Sequence, residues 1–143
     1  MRVCIDAIDA FLSMQNSETG YWIGFRSELV SGKALLAATH RVGPALRGRE
    51  IFVEVDQRSV CDVRVLKPDE PQLYSLVPLA EEGSFDAVGT VDSVLPEAGD
   101  LISVRVGDDL FHWTPDEAGC EIFLPGTWLR FTIVGLVLWD TDI

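Results

Sequence analysis

A period-2 alternation of apolar and polar residues recurs along the chain and constrains its fold more than any other feature. It is clearest in residues 51–55, 59–66, 85–92, 101–106 and 128–139. Alternation with β-branched and aromatic residues is typical of half-buried strands. The N-terminal stretch, where Ile5, Ile8 and Leu12 fit either a helix or a bent strand, is interpreted as a strand. The sequence therefore predicts a mostly β protein.

Turns and one short helix are expected between these strands. Gly107-Asp108-Asp109 predicts a hairpin, residues 96–100 a loop, and residues 56–59 a turn between two strands. Residues 33–41 are rich in good helix formers, follow Ser31 as an N-cap and end before a Gly-Pro pair. This stretch is predicted to form the one short helix.

The chain is expected to fold as two small β-rich units. Residues 67–84 contain three prolines and are interpreted as a Pro-rich connector between an N-terminal unit, 1–66, and an acidic, barrel-like C-terminal unit, 85–143. The strand order expected in the second unit is compatible with a partly open barrel of the oligonucleotide/oligosaccharide-binding (OB) kind. The comparison concerns shape alone. Two tandem OB-like barrels packed as one globular body are the predicted architecture.

The two halves also resemble each other in sequence. Residues 8–12 align with 91–95, residues 20–26 with 99–105, and residues 51–55 with 129–133, at offsets of 83, 79 and 78. Amphipathic strands of similar length always align to some degree. An internal repeat and a chance similarity therefore both remain open.

The acidity of the chain is confined to its second half. The net charge is −12, but residues 1–65 carry eight acidic and eight basic side chains. Residues 66–143 carry fifteen acidic side chains and three basic ones. Such an asymmetry points to a protein partner with a basic surface and argues against nucleic acid, which requires a surplus of Lys and Arg. The alternative is that the acidic surface only keeps the protein soluble.

The sequence contains no motif for catalysis or cofactor binding. It has no GxSxG, GxGxxG or GxxxxGK[ST] pattern, and its two histidines and three cysteines are scattered. We therefore expect no enzyme activity, no cofactor, no metal site and no disulfide framework. A small enzyme that uses exposed carboxylates as general acid and base stays open as an alternative, because such pairs leave no local motif. No signal peptide or 18-residue apolar run is present, which predicts a cytoplasmic protein that does not contact membranes.

Three surfaces are candidates for interaction. The acidic surface comprises Asp108, Asp109, His112, Trp113, Asp116 and Glu117. The basic loop comprises Arg41, Arg47 and Arg49. The third candidate is the aromatic residue Trp22. Aromatic residues and arginine dominate interface energetics, which is why these positions stand out. For each there is a plain structural alternative: the two tryptophans as core residues, and the charged stretches as solvated loops.

The function predicted from these features is non-catalytic protein recognition. The acidic C-terminal half would bind a basic partner, in one version as an inhibitor or immunity-type protein that covers a nucleic-acid-handling protein. The alternative is binding of a small ligand or single-stranded nucleic acid by the neutral N-terminal half, through Trp22 and the arginines. Association between copies, basic loop to acidic half, is a further expectation.

Overall fold

A computed structural model describes residues 1–13, 19–38 and 46–141. Nine strands lie in these ranges: β1 (Arg2–Ser13), β2 (Thr19–Arg26), β3 (Ser31–Ala38), β4 (Glu50–Val65), β5 (Ser75–Pro78), β6 (Phe85–Leu95), β7 (Leu101–Val106), β8 (Asp109–Trp113) and β9 (Trp128–Asp140). One α-helix, α1 (Pro115–Ala118), and a 3-10 turn (Pro96–Ala98) complete the elements. The prediction of a mostly β protein is confirmed.

All nine strands belong to one sheet. Its order is β3-β2-β1-β4-β9-β6-β7-β8, with β5 added beside β6. Every pairing is antiparallel except β3 with β9, which is parallel and closes β1, β2, β3, β9 and β4 into a ring. Outward from the central β4–β9 pair, the strands follow the same order on both sides: β1, β2, β3 on one and β6, β7, β8 on the other.

The predicted turn at residues 56–59 is wrong, because β4 runs through it without interruption. Gln57 pairs with Leu136 of β9 and Ser59 pairs with Val134. The segment has no Gly or Pro to break the strand, and β9 supplies partners for Asp56, Gln57 and Ser59. The two strands predicted on either side of the turn are therefore one strand of 16 residues.

The predicted helix at residues 33–41 is also wrong where the structure describes it. Residues 31–38 form β3, in which Ala34 and Leu36 are fully buried while Lys33 is exposed. Their main chain pairs with β2 throughout and with β9 at its end, so tertiary pairing outweighs a helix preference of tenths of a kcal/mol per residue. Residues 39–41 lie outside the described ranges. The short helix is instead α1.

The remaining expectations about local structure are confirmed. The N-terminal stretch is a strand, β7 and β8 form a hairpin across Gly107, and residues 96–100 connect β6 to β7.

The hydrophobic residues of both halves form one continuous core, centred on Phe25, Phe85, Phe111, Trp113 and Phe131. Because β9 pairs with β6 and also with β3 and β4, the halves share one sheet. A boundary at residues 67–84 stays a prediction.

Two ion pairs occupy matching places in the two halves. The β1–β2 register skips Asp6, and the β6–β7 register skips Asp92. Asp6 pairs with Arg26 of β2 at 2.9 Å, and Asp92 pairs with Arg105 of β7 at 3.3 Å. In each half, the aspartate at the register irregularity of one strand (β1 or β6) forms an ion pair with an arginine of the neighbouring strand (β2 or β7).

Candidate functional site

The aromatic candidate Trp22 packs against the connector. Its indole Nε1 donates to Glu82 Oε2 at 3.3 Å, and a Cβ added at Gly83 would lie 2.8 Å from the ring. Lys33 Nζ binds the same Glu82 carboxylate at 3.0 Å. The side chain therefore holds the connector onto β2 and β3, and a binding role for Trp22 stays a prediction.

The basic candidates are only partly described. Arg41 lies outside the described residues. Arg47 and Arg49 are exposed in a turn that is fixed by the buried Leu46 and by a hydrogen bond from Gly48 N–H to the Ile5 carbonyl. The turn therefore presents two arginines to solvent from a defined position.

The stretch around α1 divides into core and surface. Trp113 is 1% exposed and its ring lies 4.9 Å from that of Phe131, so it is a core residue. Glu117 completes a capping box with Thr114, and Asp116 is exposed beside it. Carboxylates in the first turn of a helix interact favourably with the positive end of the helix dipole, which gives Asp116 and Glu117 a structural role.

The candidates of the β7–β8 hairpin lie at an open groove. Asp109 forms a 2.7 Å ion pair with the N-terminal ammonium of Met1, whereas Asp108 is exposed. His112 is exposed, and its Nδ1 lies 2.8 Å from Ser103 Oγ. The His112 carbonyl accepts a 2.7 Å hydrogen bond from Gln57 Nε2, which ties β8 to β4.

This groove, which we call the β4–β8 groove, has a volume of about 880 Å³. It is lined by Met1, Val53, Glu54, Val55, Asp56, Leu101, Asp108, Asp109, Leu110, His112 and Trp139. A second depression of about 480 Å³ adjoins it and shares Met1, Asp108 and Asp109. The lining described for the larger groove contains no Lys or Arg.

Sequence reasoning missed the two acids that β4 contributes. Glu54 and Asp56 are exposed, and they lie opposite Trp139 and Val137 of β9, so carboxylates and an indole share one face. Residues directly opposite on a sheet face have Cβ atoms about 4.5–5.5 Å apart. The alternation through residues 51–55 was the available signal, but the expected turn at 56–59 ended the strand too early. Together, both halves build an acidic groove with an aromatic wall.

A second charged cluster lies elsewhere and is internally neutralised. Arg64 and Arg130 both bind Glu70, with Nη2–Oε2 and Nη1–Oε2 distances of 2.8 and 2.9 Å, and Arg130 also binds Asp86 at 2.8 Å. Hydrogen bonds from Arg64, the Lys67 main chain and Arg130 hold the pKa of Glu70 far below its usual range. The arginines and carboxylates of this cluster are paired with each other. Through these pairs Glu70 of the connector is attached to β4, β6 and β9.

Cys61 and Cys120 lack the activation that a nucleophile needs. Burial, followed by the neighbouring Asp62 carboxylate, raises the pKa of Cys61, and burial raises the pKa of Cys120. A reactive cysteine needs the opposite shift, because the thiolate is the nucleophile. All three cysteines are free thiols.

Comparison with known protein families, with curated proteins and with solved structures finds no match to this chain. Within the described ranges, no three His, Cys, Asp or Glu side chains are grouped so as to hold a metal ion. No helix in this part of the chain is long and apolar enough to cross a membrane.

Proposed function

We propose that the protein is a non-catalytic recognition module whose β4–β8 groove binds a basic segment of a partner protein. One observation carries the proposal. Glu54, Asp56 and Asp108 are exposed at one groove, and none of them forms an ion pair within the described residues. Elsewhere several acids are already paired with an arginine or a lysine.

The groove geometry strengthens the effect of these charges. The Met1 ammonium at the groove is already paired with Asp109, so the unpaired charge of the described lining is acidic. A concave surface whose unpaired charge has one sign concentrates the field and raises the encounter rate of an oppositely charged partner. Complementary charge improves rate and specificity more than affinity. The site differs from the sequence-based proposal in two respects. β4 of the first half supplies two of its three unpaired acids, and Asp116 and Glu117 are not among the residues that line it. An inhibitor or immunity-type role, in which the acids replace phosphates on a basic surface, is one form of this function.

The proposal is tested with a ten-residue lysine peptide as the probe. The triple variant Glu54→Lys, Asp56→Lys, Asp108→Lys should lower affinity at least tenfold in titration calorimetry at low salt. A matched control reverses three exposed acids outside the groove, Asp69, Glu97 and Glu121, and so has the same net charge. The control should retain most of the wild-type affinity.

The result that rejects the proposal is equal loss in both triple variants, because binding would then follow net charge and not the groove. A wild-type affinity that is unchanged between 20 and 300 mM salt would also reject it, since screening weakens exposed electrostatic contacts.

A second candidate function rests on the exposed Arg47 and Arg49. Together with Arg41 and Trp22 they would bind a small anionic ligand or a single-stranded nucleic acid through the first half. Filter binding of a single-stranded oligonucleotide at 50 mM salt separates the two functions, because electrostatic retention is strongest at low salt. Loss of retention in Arg47→Ala, Arg49→Ala would support this candidate.

We also propose that the halves are related barrels of the OB kind produced by duplication. The ring of five strands and the common strand order outward from β4 and β9 support this. The registers match Ile5 with Val91 and Phe25 with Val104, three residues away from the sequence alignment of the first strand. In this register the ion pairs of Asp6 and Asp92 coincide.

A further inference from the structure

One edge of β4 is open at the groove. Val53 N–H donates to the Met1 carbonyl at 2.8 Å, so Val53 faces away from β9. Strand main-chain groups alternate in direction, and Val55 and Gln57 therefore face the same way. The Gln57 N–H is bound by the Asp56 carboxylate at 2.8 Å. No strand of the described chain pairs with Val55 on this side.

A polar side chain is left incomplete at the same place. Gln57 Nε2 reaches across to the His112 carbonyl, but Gln57 Oε1 is buried without a hydrogen-bond partner within the described residues. The amide therefore bridges two strand edges where a main-chain ladder is absent. Buried polar atoms of this kind cost free energy unless a partner completes them.

The other half contains the same place with its edge occupied. At the offset of 78 between β4 and β9, Val55 corresponds to Ile133, and Ile133 pairs with Phe85 of β6. The segment that leads into β6 lies alongside β9, with the Gly83 carbonyl accepting from Leu136 N–H at 2.8 Å. An extended stretch of chain thus occupies the position beside Ile133 of β9, whereas the corresponding position beside Val55 of β4 is open.

The walls of the two places also correspond. The β2–β3 and β7–β8 registers match Trp22 with Leu101 and Lys33 with His112. Trp22 and Lys33 hold Glu82 of the segment that leads into β6, whereas Leu101 and His112 line the β4–β8 groove. The protein therefore displays, within its own chain, how a peptide segment occupies such a groove.

The charge is reversed between the two places. The segment in the occupied place carries Glu81 and Glu82 and meets a lysine. The open groove has acidic walls, so a complementary occupant is basic.

We propose that an extended basic segment of a partner protein adds to the β4 edge as a short strand, with its main chain bonded to Val55. Strand addition takes affinity from main-chain hydrogen bonds and specificity from alternate side chains. A lysine or arginine of that segment would lie over Trp139, between the carboxylates of Glu54 and Asp56, where a cation–π contact adds to the ion pairs. This inference rests on the proposed function and names the form in which its partner binds.

The first test compares two probes of equal charge. A ten-residue lysine peptide is measured against the same peptide with every main-chain nitrogen methylated. Methylation preserves the side-chain charge but removes the main-chain donors in every register, so the methylated peptide should bind at least tenfold more weakly. Equal affinity of the two peptides, together with loss of binding in the groove triple variant, would leave the proposed function standing and overturn strand addition. No binding of any peptide would reject both.

The second test observes the strand edge directly. Amide hydrogen exchange of Val55 should slow at least tenfold when the unmethylated peptide saturates the protein. The amide of Leu138, opposite Val55 and already paired with β3, is the internal control and should not change. Unchanged exchange at Val55 under saturation would refute the inference without any substitution that affects folding.

Discussion

Replacement of Gly89 by alanine tests a close approach between the main chains of β6 and β7. Gly89 is buried in β6, where it pairs with Leu129 of β9. A Cβ at this position would overlap the Arg105 carbonyl oxygen of β7 and lie 2.9 Å from Val106 Cγ2. The oxygen belongs to a strand that is paired on both sides, so relief requires β7 to move as a unit.

We expect Gly89→Ala to lower the free energy of unfolding by about 3 kcal/mol, the upper end for an overpacked core. At this chain length the melting temperature should fall by roughly 6–12 °C. Denaturation in guanidinium should show a lower midpoint with an unchanged slope, which indicates lost stability and not a changed unfolded state.

The matched control is Gly24→Ala in β2. Its added Cβ would meet the Ala7 Cβ at 3.6 Å, an ordinary van der Waals contact. We expect a change within about 0.5 kcal/mol, because the methyl fits and restricts the unfolded chain. If both variants were equally stable, the close β6–β7 approach, and the strand geometry derived from it, would be wrong.

Three further variants test other parts of the structure. Glu70→Gln should destabilise the protein at pH 7, because Arg64 and Arg130 hold the pKa of Glu70 below its ordinary value of 4.5. The stabilisation that the ionised Glu70 provides fades as pH falls below that value. If the urea midpoints of variant and wild type differed equally at pH 7 and at pH 3, this account would be wrong. Phe131→Ala removes a fully buried ring of the aromatic core and should cost about 3–5 kcal/mol in urea denaturation, with less than 1 kcal/mol refuting its place there. Thr114→Ala removes the cap of α1 and should cost about 1 kcal/mol by the same assay, whereas no change would show that the capping box is not formed.

Most strands could be predicted because one face of each carries apolar side chains that pack in the core, while the other face carries more polar ones. In β7 the apolar Ile102, Val104 and Val106 are buried and alternate with the polar Ser103 and Arg105, and that pattern is present in the sequence itself. Arg105 is partly exposed, whereas Ser103 is also buried, with its hydroxyl 2.8 Å from His112 Nδ1. Alternation was misleading only where it was overlaid by another signal. Residues 33–38 read as helical because alanine and leucine are good helix formers, and no local feature reveals that β2 and β9 pair with them.

The sheet order could not be predicted from local pattern, because the long-range pairings involve strands far apart in sequence. The ring closes through Leu35 and Val137, about a hundred residues apart, and nothing in either segment specifies the other. The irregularity that contains Asp62, whose φ is 54°, belongs to the register of β4 against β9. Aspartate tolerates this backbone conformation but does not by itself specify a bulge. Interactions across such separations require the fold.

The groove shows why a charge count by halves located only part of the site. The count directed attention to the second half, and Asp108 and His112 do line the groove. Glu54 and Asp56 belong to the half with no net charge, so the count concealed them. Because β4 lies beside β8, with Gln57 bonded to the His112 carbonyl, its acids join those of the β7–β8 hairpin at one groove. A local charge is determined by which side chains remain unpaired after folding, and Glu82, held by Lys33, illustrates an acid that the fold has already neutralised.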